Sequence, residues 1–376
     1  MLILSRYGDE FGQKLFERVQ DYKEGVRHAQ HFPFNYRVFP DDESLVRFSD
    51  PPLYSVRKGE VWFPPGSEKI RAAVKNDSSV VFVNRGASGR NWKPVHELLN
   101  AQFAAQYLKD KNQGFGAERV CLIIPNMPFA KQDKIFYDEK GNMFDGQPIT
   151  ITYAREMLRK HADLLINITP HDFRKTGWIM KNEKMDPELK IDAQGRVLDA
   201  KGRVILPFTE DLTNFAYAID VTPELVEHVF SGLGNPYVIG GDKSVKSAIL
   251  SIKERYADVD GTVARKFRDR NFNEMLETSI GDLPADLSGY DIVLLDDVAI
   301  TGGTMVGALK EIKKRNPRSI TCAAVHGEFS YNKHGYSGLD VLKQEGADVV
   351  VTNTMETPVS KVDVTGRLAE KLYELY

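Results

Sequence analysis

The chain has 376 residues, with 50 Lys and Arg against 53 Asp and Glu, a formal net charge of −3. Hydrophobic residues make up 42% and charged residues 27%, a globular balance that excludes a largely disordered or fibrous chain and, lacking a basic excess, bulk nucleic-acid binding. At ~150 residues per domain the length predicts about two domains, no apolar run approaches the ~20 residues of a membrane helix, and the opening MLILSRYGDEFG is too briefly apolar for a signal peptide.

In chain order, strands are predicted at 80–83, 119–125, 163–169, 237–240, 262–265, 292–295, 320–325 and 348–352. Most are continuous apolar runs, the pattern of parallel strands covered on both faces. Helical periodicity lies between them, at 94–109, 152–161, 223–230, 243–256, 304–314 and 365–375. In the first of these helices Val95, Leu98, Leu99, Phe103 and Tyr107 form the expected apolar face. The alternation predicts an α/β architecture with right-handed crossovers. Residues 138–147, rich in Gly and Asp, read as a mobile loop, and 186–207 carry a short echo, DAQGRVL then DAKGRVI, that predicts a β-hairpin or flap. A boundary between two α/β halves is expected near 180–214. Cys121 and Cys322 both sit in apolar segments and read as core thiols, in keeping with a soluble protein of a reducing, cytoplasmic compartment.

The sharpest chemical signal is the contiguous stretch 292–304, IVLLDDVAITGGT. An apolar strand ends in Asp296 and Asp297, a Thr301-Gly302-Gly303-Thr304 turn follows, and a helix opens at Thr304. Two glycines let the backbone bend tightly and bring its N–H groups against an anion, and the helix N-terminus adds positive potential. Thr301 and Thr304 supply hydroxyl donors, and the two carboxylates can accept from a diol. A phosphate cradle beside diol acceptors describes a site for a ribose 5-phosphate moiety.

That string resembles the signature of the type I phosphoribosyltransferase fold, and the rest of the chain is similar to the ribose-phosphate diphosphokinases (phosphoribosyl pyrophosphate synthetases). Phe39-Pro40-Asp41-Asp42-Glu43 resembles the family's Phe-x-Asp-x-Glu loop, and 124–134 resembles its Ile-Pro-x-x-x-Tyr-Ala-Arg-Gln-Asp-Lys segment. Gln147-Pro148-Ile149-Thr150 looks like Glu-Pro-Ile-Thr, and Lys266-Phe267-Arg268 matches the Lys-x-Arg of the family's catalytic flexible loop. Val325-His326-Gly327, Val351-Thr352-Asn353-Thr354 and Leu368-Ala369-Glu370 look like its closing elements. The sequence departs from the pattern at Lys131, where the family has Arg, and at Ile300, where its phosphate loop opens with Asp. Lys243-Ser244 stand where the family's Gly-Gly would follow Asp242.

The resemblance implies two similar phosphoribosyltransferase-type domains, each a mainly parallel sheet flanked by helices: residues 1–180, an inserted hairpin or linker at 181–214, and 215–376 with the ribose-phosphate loop. It implies transfer of the β,γ-diphosphoryl group of ATP to the anomeric hydroxyl of ribose 5-phosphate, with Mg²⁺ arriving on the ATP phosphates. By the same resemblance Lys266 and Arg268 are catalytic, and Asp296, Asp297, Thr301, Gly302, Gly303 and Thr304 bind the ribose phosphate. Phe39, Asp41, Glu43, Lys131, Gln132, Asp133 and His171 bind ATP, and His171 and Asp242 contact the metal. The implied partners are small molecules, with no nucleic acid and no membrane, in a homo-oligomer, dimer or hexamer. Three other readings are open: the same transfer onto a larger acceptor such as ADP-ribose, a true phosphoribosyltransferase, and a non-catalytic regulatory paralogue.

Overall fold

The computed structural model describes residues 1–6, 9–21, 30–38, 44–47, 70, 72–75, 79–91, 93–132, 150–171, 190–191, 197–198, 202, 204–206, 215–241, 245–256, 258–268, 275–280 and 283–376. Among them, one sheet runs in the order Ala216–Ile219, Leu164–Ile168, Arg119–Ile123, Ser79–Val83, Leu2–Arg6, Gln30–Val38, Ser44–Arg47. The first six are parallel and the last is antiparallel to its neighbour. A second sheet runs Met275–Ile280, Asp260–Arg268, Pro236–Gly240, Asp291–Ala299, Ser319–Gly327, Asp348–Thr352, Ser360–Val362, again six parallel strands with one antiparallel edge, Met275–Ile280. The two-domain α/β expectation is met. Every residue of Asp291–Ala299 is buried, as an apolar run covered on both faces requires.

Alternate residues of each strand face opposite sides, and this sorts the interior into three layers. Leu4, Phe82 and Leu122 point into a core confined to the first sheet, closed by Leu98, Ala101 and Leu108. Leu294, Cys322 and Ala324 point into a core confined to the second, closed by Met305, Leu309 and Ile312. The opposite faces, through Ile3, Val81 and Ile123 on one sheet and Val293, Leu295 and Val325 on the other, share a single core with Phe11, Leu15, Leu368 and Leu372. Helices Glu10–Asp21 and Thr365–Leu375, one from each end of the chain, pack on each other in that shared layer.

Three local expectations differ from the structure. In helix Pro94–Lys109 the buried face is Glu97, Leu98, Asn100, Ala101, Ala104, Ala105 and Leu108, whereas Val95, Phe103 and Tyr107 are exposed. Small side chains, rather than the large ones, meet the sheet, because alanines allow the helix a close approach. Strand Ala216–Ile219, beyond the expected domain boundary at 215, hydrogen-bonds into the first sheet, while the next helix, Thr222–Phe230, lies against the second. The hairpin expected at 186–207 is a three-stranded antiparallel meander, Lys190–Ile191, Val197–Leu198 and Val204–Leu206. The 138–147 loop lies outside the described residues. Cys121 and Cys322 are buried free thiols, and burial pushes each up to about 12. No helix among the described residues is long and apolar enough to cross a membrane.

Candidate active site

Strand Asp291–Ala299 ends one residue before Ile300, and helix Gly303–Lys313 begins three residues after Ile300. Gly302 makes this possible: its φ is 76°, in the left-handed region that glycine adopts without a Cβ penalty. Its carbonyl accepts from Val306 N at 2.8 Å, starting the helix, and no side chain caps the helix N-terminus. An uncapped helix start leaves N–H groups and positive potential for an anion. Thr301 and Gly303 are exposed and Gly302 is buried. A second glycine braces the loop from behind. A Cβ on Gly338 would sit 2.1 Å from the Ile300 carbonyl oxygen, so only glycine fits. Gly338 opens helix Gly338–Gln344, which is fixed by a reciprocal capping box between Ser337 and Asp340.

Asp296 and Asp297 are both buried at the end of the same strand, yet they face different neighbours. A Cβ on Gly241 would lie 3.0 Å from Asp296 Oδ2, so glycine at the end of the adjacent strand makes room for that carboxylate. Asp297 turns toward the first domain, where its Oδ2 accepts from His171 Nδ1 and its Oδ1 accepts from Val298 N at 2.8 Å. Burial alone would raise the Asp297 carboxyl, but the charge and hydrogen bond of His171, with the charge of Lys131, hold it well below the usual carboxylate range.

The first domain aims these groups with two left-handed turns at strand ends. Phe129, with φ 65°, precedes Lys131 in a turn closed by Gln132 N donating to Phe129 O at 2.8 Å; Lys131 and Gln132 are exposed. Thr169, with φ 34°, precedes Pro170 and His171. Such conformations cost non-glycine residues on the order of 1–3 kcal/mol and persist only where surrounding contacts hold them. His326, wholly buried on strand Ser319–Gly327, faces the same turn. Burial pushes its imidazole down to about 4, against the raising effects of Asp297 and the Ile168 and Thr169 carbonyls.

The structure therefore brings together Lys131, His171, Asp296, Asp297 and the Thr301–Gly303 loop around one pair of strand ends. Lys266 and Arg268 are placed by their backbone on strand Asp260–Arg268, paired with Thr278 and Met275 across a bulge between Phe267 and Arg268. The strand thus runs beyond its expected end at 265 into an antiparallel hairpin. Phe39, Asp41, Glu43, Asp133 and Asp242 lie outside the described residues. The sequence reading missed Thr169 and Gly338 as supports of the site. For Gly338 a local signal exists, the Ser337-x-x-Asp340 capping pattern; for Thr169 there is none. Among the described residues no group of three or more His, Cys, Asp or Glu could hold a metal ion by itself.

Comparison with known proteins agrees with this architecture. A family model described as "Phosphoribosyl transferase domain" matches residues 227–355, which contain the Asp296-Asp297 strand and its loop. A ribose-phosphate pyrophosphokinase of Pyrococcus furiosus is 24% identical over 310 residues, 82% of this chain and 90% of its own. One from Sulfurisphaera tokodaii is 25% identical over 338 residues, 88% and 96% of the two chains. The crystal structure of phosphoribosylpyrophosphate synthetase from Mycobacterium smegmatis superposes with a TM-score of 0.61 at 16% identity, covering 100% of this chain and 98% of that one. Over more than four-fifths of its length the chain is thus similar to ribose-phosphate pyrophosphokinases, and it shares the two-domain α/β fold of a phosphoribosylpyrophosphate synthetase.

Proposed function

We propose that the chain is a diphosphotransferase that moves the β,γ-diphosphoryl group of ATP to the anomeric hydroxyl of ribose 5-phosphate, releasing AMP. The observation that carries this reading is the meeting of His171 from one domain with Asp297 from the other, beside the glycine loop. The sugar phosphate is to be held at Thr301, Gly302, Gly303 and Thr304, with its hydroxyls toward Asp296 and Asp297. ATP is to arrive on the side of Phe39, Asp41, Glu43, Lys131, Gln132, Asp133 and His171. Phosphoryl transfer asks a protein chiefly to align donor and acceptor and to neutralise charge. Two domains that each carry one substrate satisfy the first demand, and Lys266 and Arg268 are proposed for the second. Mg²⁺ fits the oxygen donors present, since it keeps most of its waters and needs only one or two carboxylates. An ionised Asp297 supplies one, with Asp242 and His171 as further contacts, and the ion would neutralise phosphate charge.

The test incubates the protein with ATP, Mg²⁺ and candidate acceptors and reads AMP and product by mass. AMP release dependent on ribose 5-phosphate is expected, and Lys266→Ala should bind substrates but turn over at least ~100-fold more slowly. Normal AMP release by that variant would remove Lys266 from the chemistry. A second reading keeps the transfer and enlarges the acceptor to a molecule such as ADP-ribose. Ile300 favours it: an apolar, half-exposed side chain opens the phosphate loop, where the resembling family has a carboxylate. Parallel assays with the two acceptors separate the readings. Assembly into a homo-oligomer is a further proposal, checked by light scattering.

A further inference from the structure

His326 does not line the glycine loop, yet it touches the backbone that carries His171. Its Nε2 lies 2.8 Å from the Ile168 carbonyl oxygen and 3.3 Å from that of Thr169. Carbonyls only accept, so Nε2 bears the proton; Nδ1 then accepts from Thr354 Oγ1 at 2.8 Å. His326 and Thr354 belong to the second sheet's domain, and Ile168 and Thr169 to the first sheet. The turn is thus gripped from both domains. From its own side, Thr169 N donates to Ile219 O at 2.8 Å, and Thr169 Oγ1 accepts from Val221 N at 3.0 Å. From the other, His326 holds its carbonyl. Thr169 is left-handed, and two residues later His171 meets Asp297. Asp297 itself lies on the strand paired with that of His326, whose register sets Val298 opposite His326.

We propose that His326 is a positioning residue: its imidazole, reaching from one domain, pins the left-handed Thr169 turn of the other and so sets His171 against Asp297. It touches no substrate and acts through the backbone of residues 168–169. The consequence for turnover rests on the diphosphoryl-transfer reading; the consequence for the His171–Asp297 contact does not.

Two variants test this. His326→Phe keeps a ring and loses the donor; His326→Gln restores an N–H donor at similar reach. In ¹⁵N-labelled protein the His171 Nδ1–H resonance, assigned by its absence in His171→Gln, should disappear in His326→Phe and return in His326→Gln. With ATP and ribose 5-phosphate, His326→Phe should lower kcat for AMP release by ~100-fold, the scale of a small misplacement of a reacting group, while KM for the sugar stays within about twofold. His326→Gln should recover at least ~10-fold of that loss. A folded His326→Phe protein that keeps both the His171 resonance and kcat would overturn the proposal. If that variant does not fold, Thr169→Gly, which removes the Val221 anchor and the left-handed constraint, must abolish the same resonance; its persistence overturns the proposal equally. If wild-type protein releases no AMP with any acceptor, the functional reading has failed, and the resonance still decides the role of His326.

Discussion

Glu97 and Asp297 are both buried carboxyl groups, and their surroundings drive them in opposite directions. Glu97 sits in the first turn of helix Pro94–Lys109, and burial raises it from 4.5 to about 7 against the opposing effects of Arg6 and Asn84. A carboxyl raised in the native state binds its proton more tightly when folded. Stability is therefore highest below about 4.5 and declines as pH rises to about 7, by roughly 3 kcal/mol in total. Glu97→Gln should remove that slope: its midpoint in urea should differ little from wild type at pH 4 and exceed it clearly at pH 8. A parallel decline in both proteins would show that Glu97 is not the source. Asp297 is depressed instead, so its contribution is present above its unfolded value and lost only in strong acid. Asp296 and Asp297 stand out in the sequence as candidate site residues because strand, carboxylates, glycine turn and helix form one contiguous stretch. The sign of the Asp297 shift was not, because His171 arrives from 126 positions away. Thr169 was illegible for the same reason, its grip coming from Val221 and His326.

At the scale of elements, the Thr301–Thr304 loop, the proposed phosphate cradle, is braced by a neighbouring helix. Helix Gly338–Gln344 abuts the loop through Gly338, and Leu342 lies 3.5 Å from where a Cβ of Gly302 would be. Gly338→Ala places a methyl group 2.1 Å from the Ile300 carbonyl oxygen, an overlap with backbone that no rotamer relieves. The loop must shift or the helix must undock. The expected outcome is a destabilisation of about 1–3 kcal/mol, with ribose 5-phosphate binding by calorimetry weakened at least ~10-fold. Unchanged affinity would mean that the loop does not rely on this support. The elements themselves were readable to differing degrees. Helix Pro94–Lys109 was marked by its leading proline and its period, but alanines were undervalued as a buried face. Helix Glu10–Asp21 escaped notice because it buries only Phe11, Gly12, Leu15 and Val19, about one residue per turn. Strand Ala216–Ile219 has four residues, two of them alanine, and joins the sheet by tertiary pairing rather than by β-propensity.

The whole molecule is held by the layer between its two sheets. Helices Glu10–Asp21 and Thr365–Leu375 fill it, so the two ends of the chain close one core that neither sheet completes alone. The C-terminal segment is tied further to the first sheet by Lys371, 4.9 Å above the Tyr217 ring, and by Arg119, 4.3 Å from the Tyr376 ring. A shared core couples the domains: removing buried volume there must weaken both, whereas two separate cores would let one domain melt first. Leu372 is wholly buried in this layer. Leu372→Ala should cost about 2–5 kcal/mol, the range for truncating a buried leucine. Scanning calorimetry should show one transition moved to lower temperature. Hydrogen exchange should accelerate together at Leu4 in the first sheet and Leu294 in the second, although neither residue touches the shared layer and each lies in a core private to its own sheet. Faster exchange at Leu294 alone, or a split transition, would mean that the domains fold independently. The contact between His171 and Asp297 would then be set by a hinge. If both sites respond together, the one rigid layer that closes the core also fixes the spacing between His171 and Asp297, the groups proposed to face ATP and the sugar.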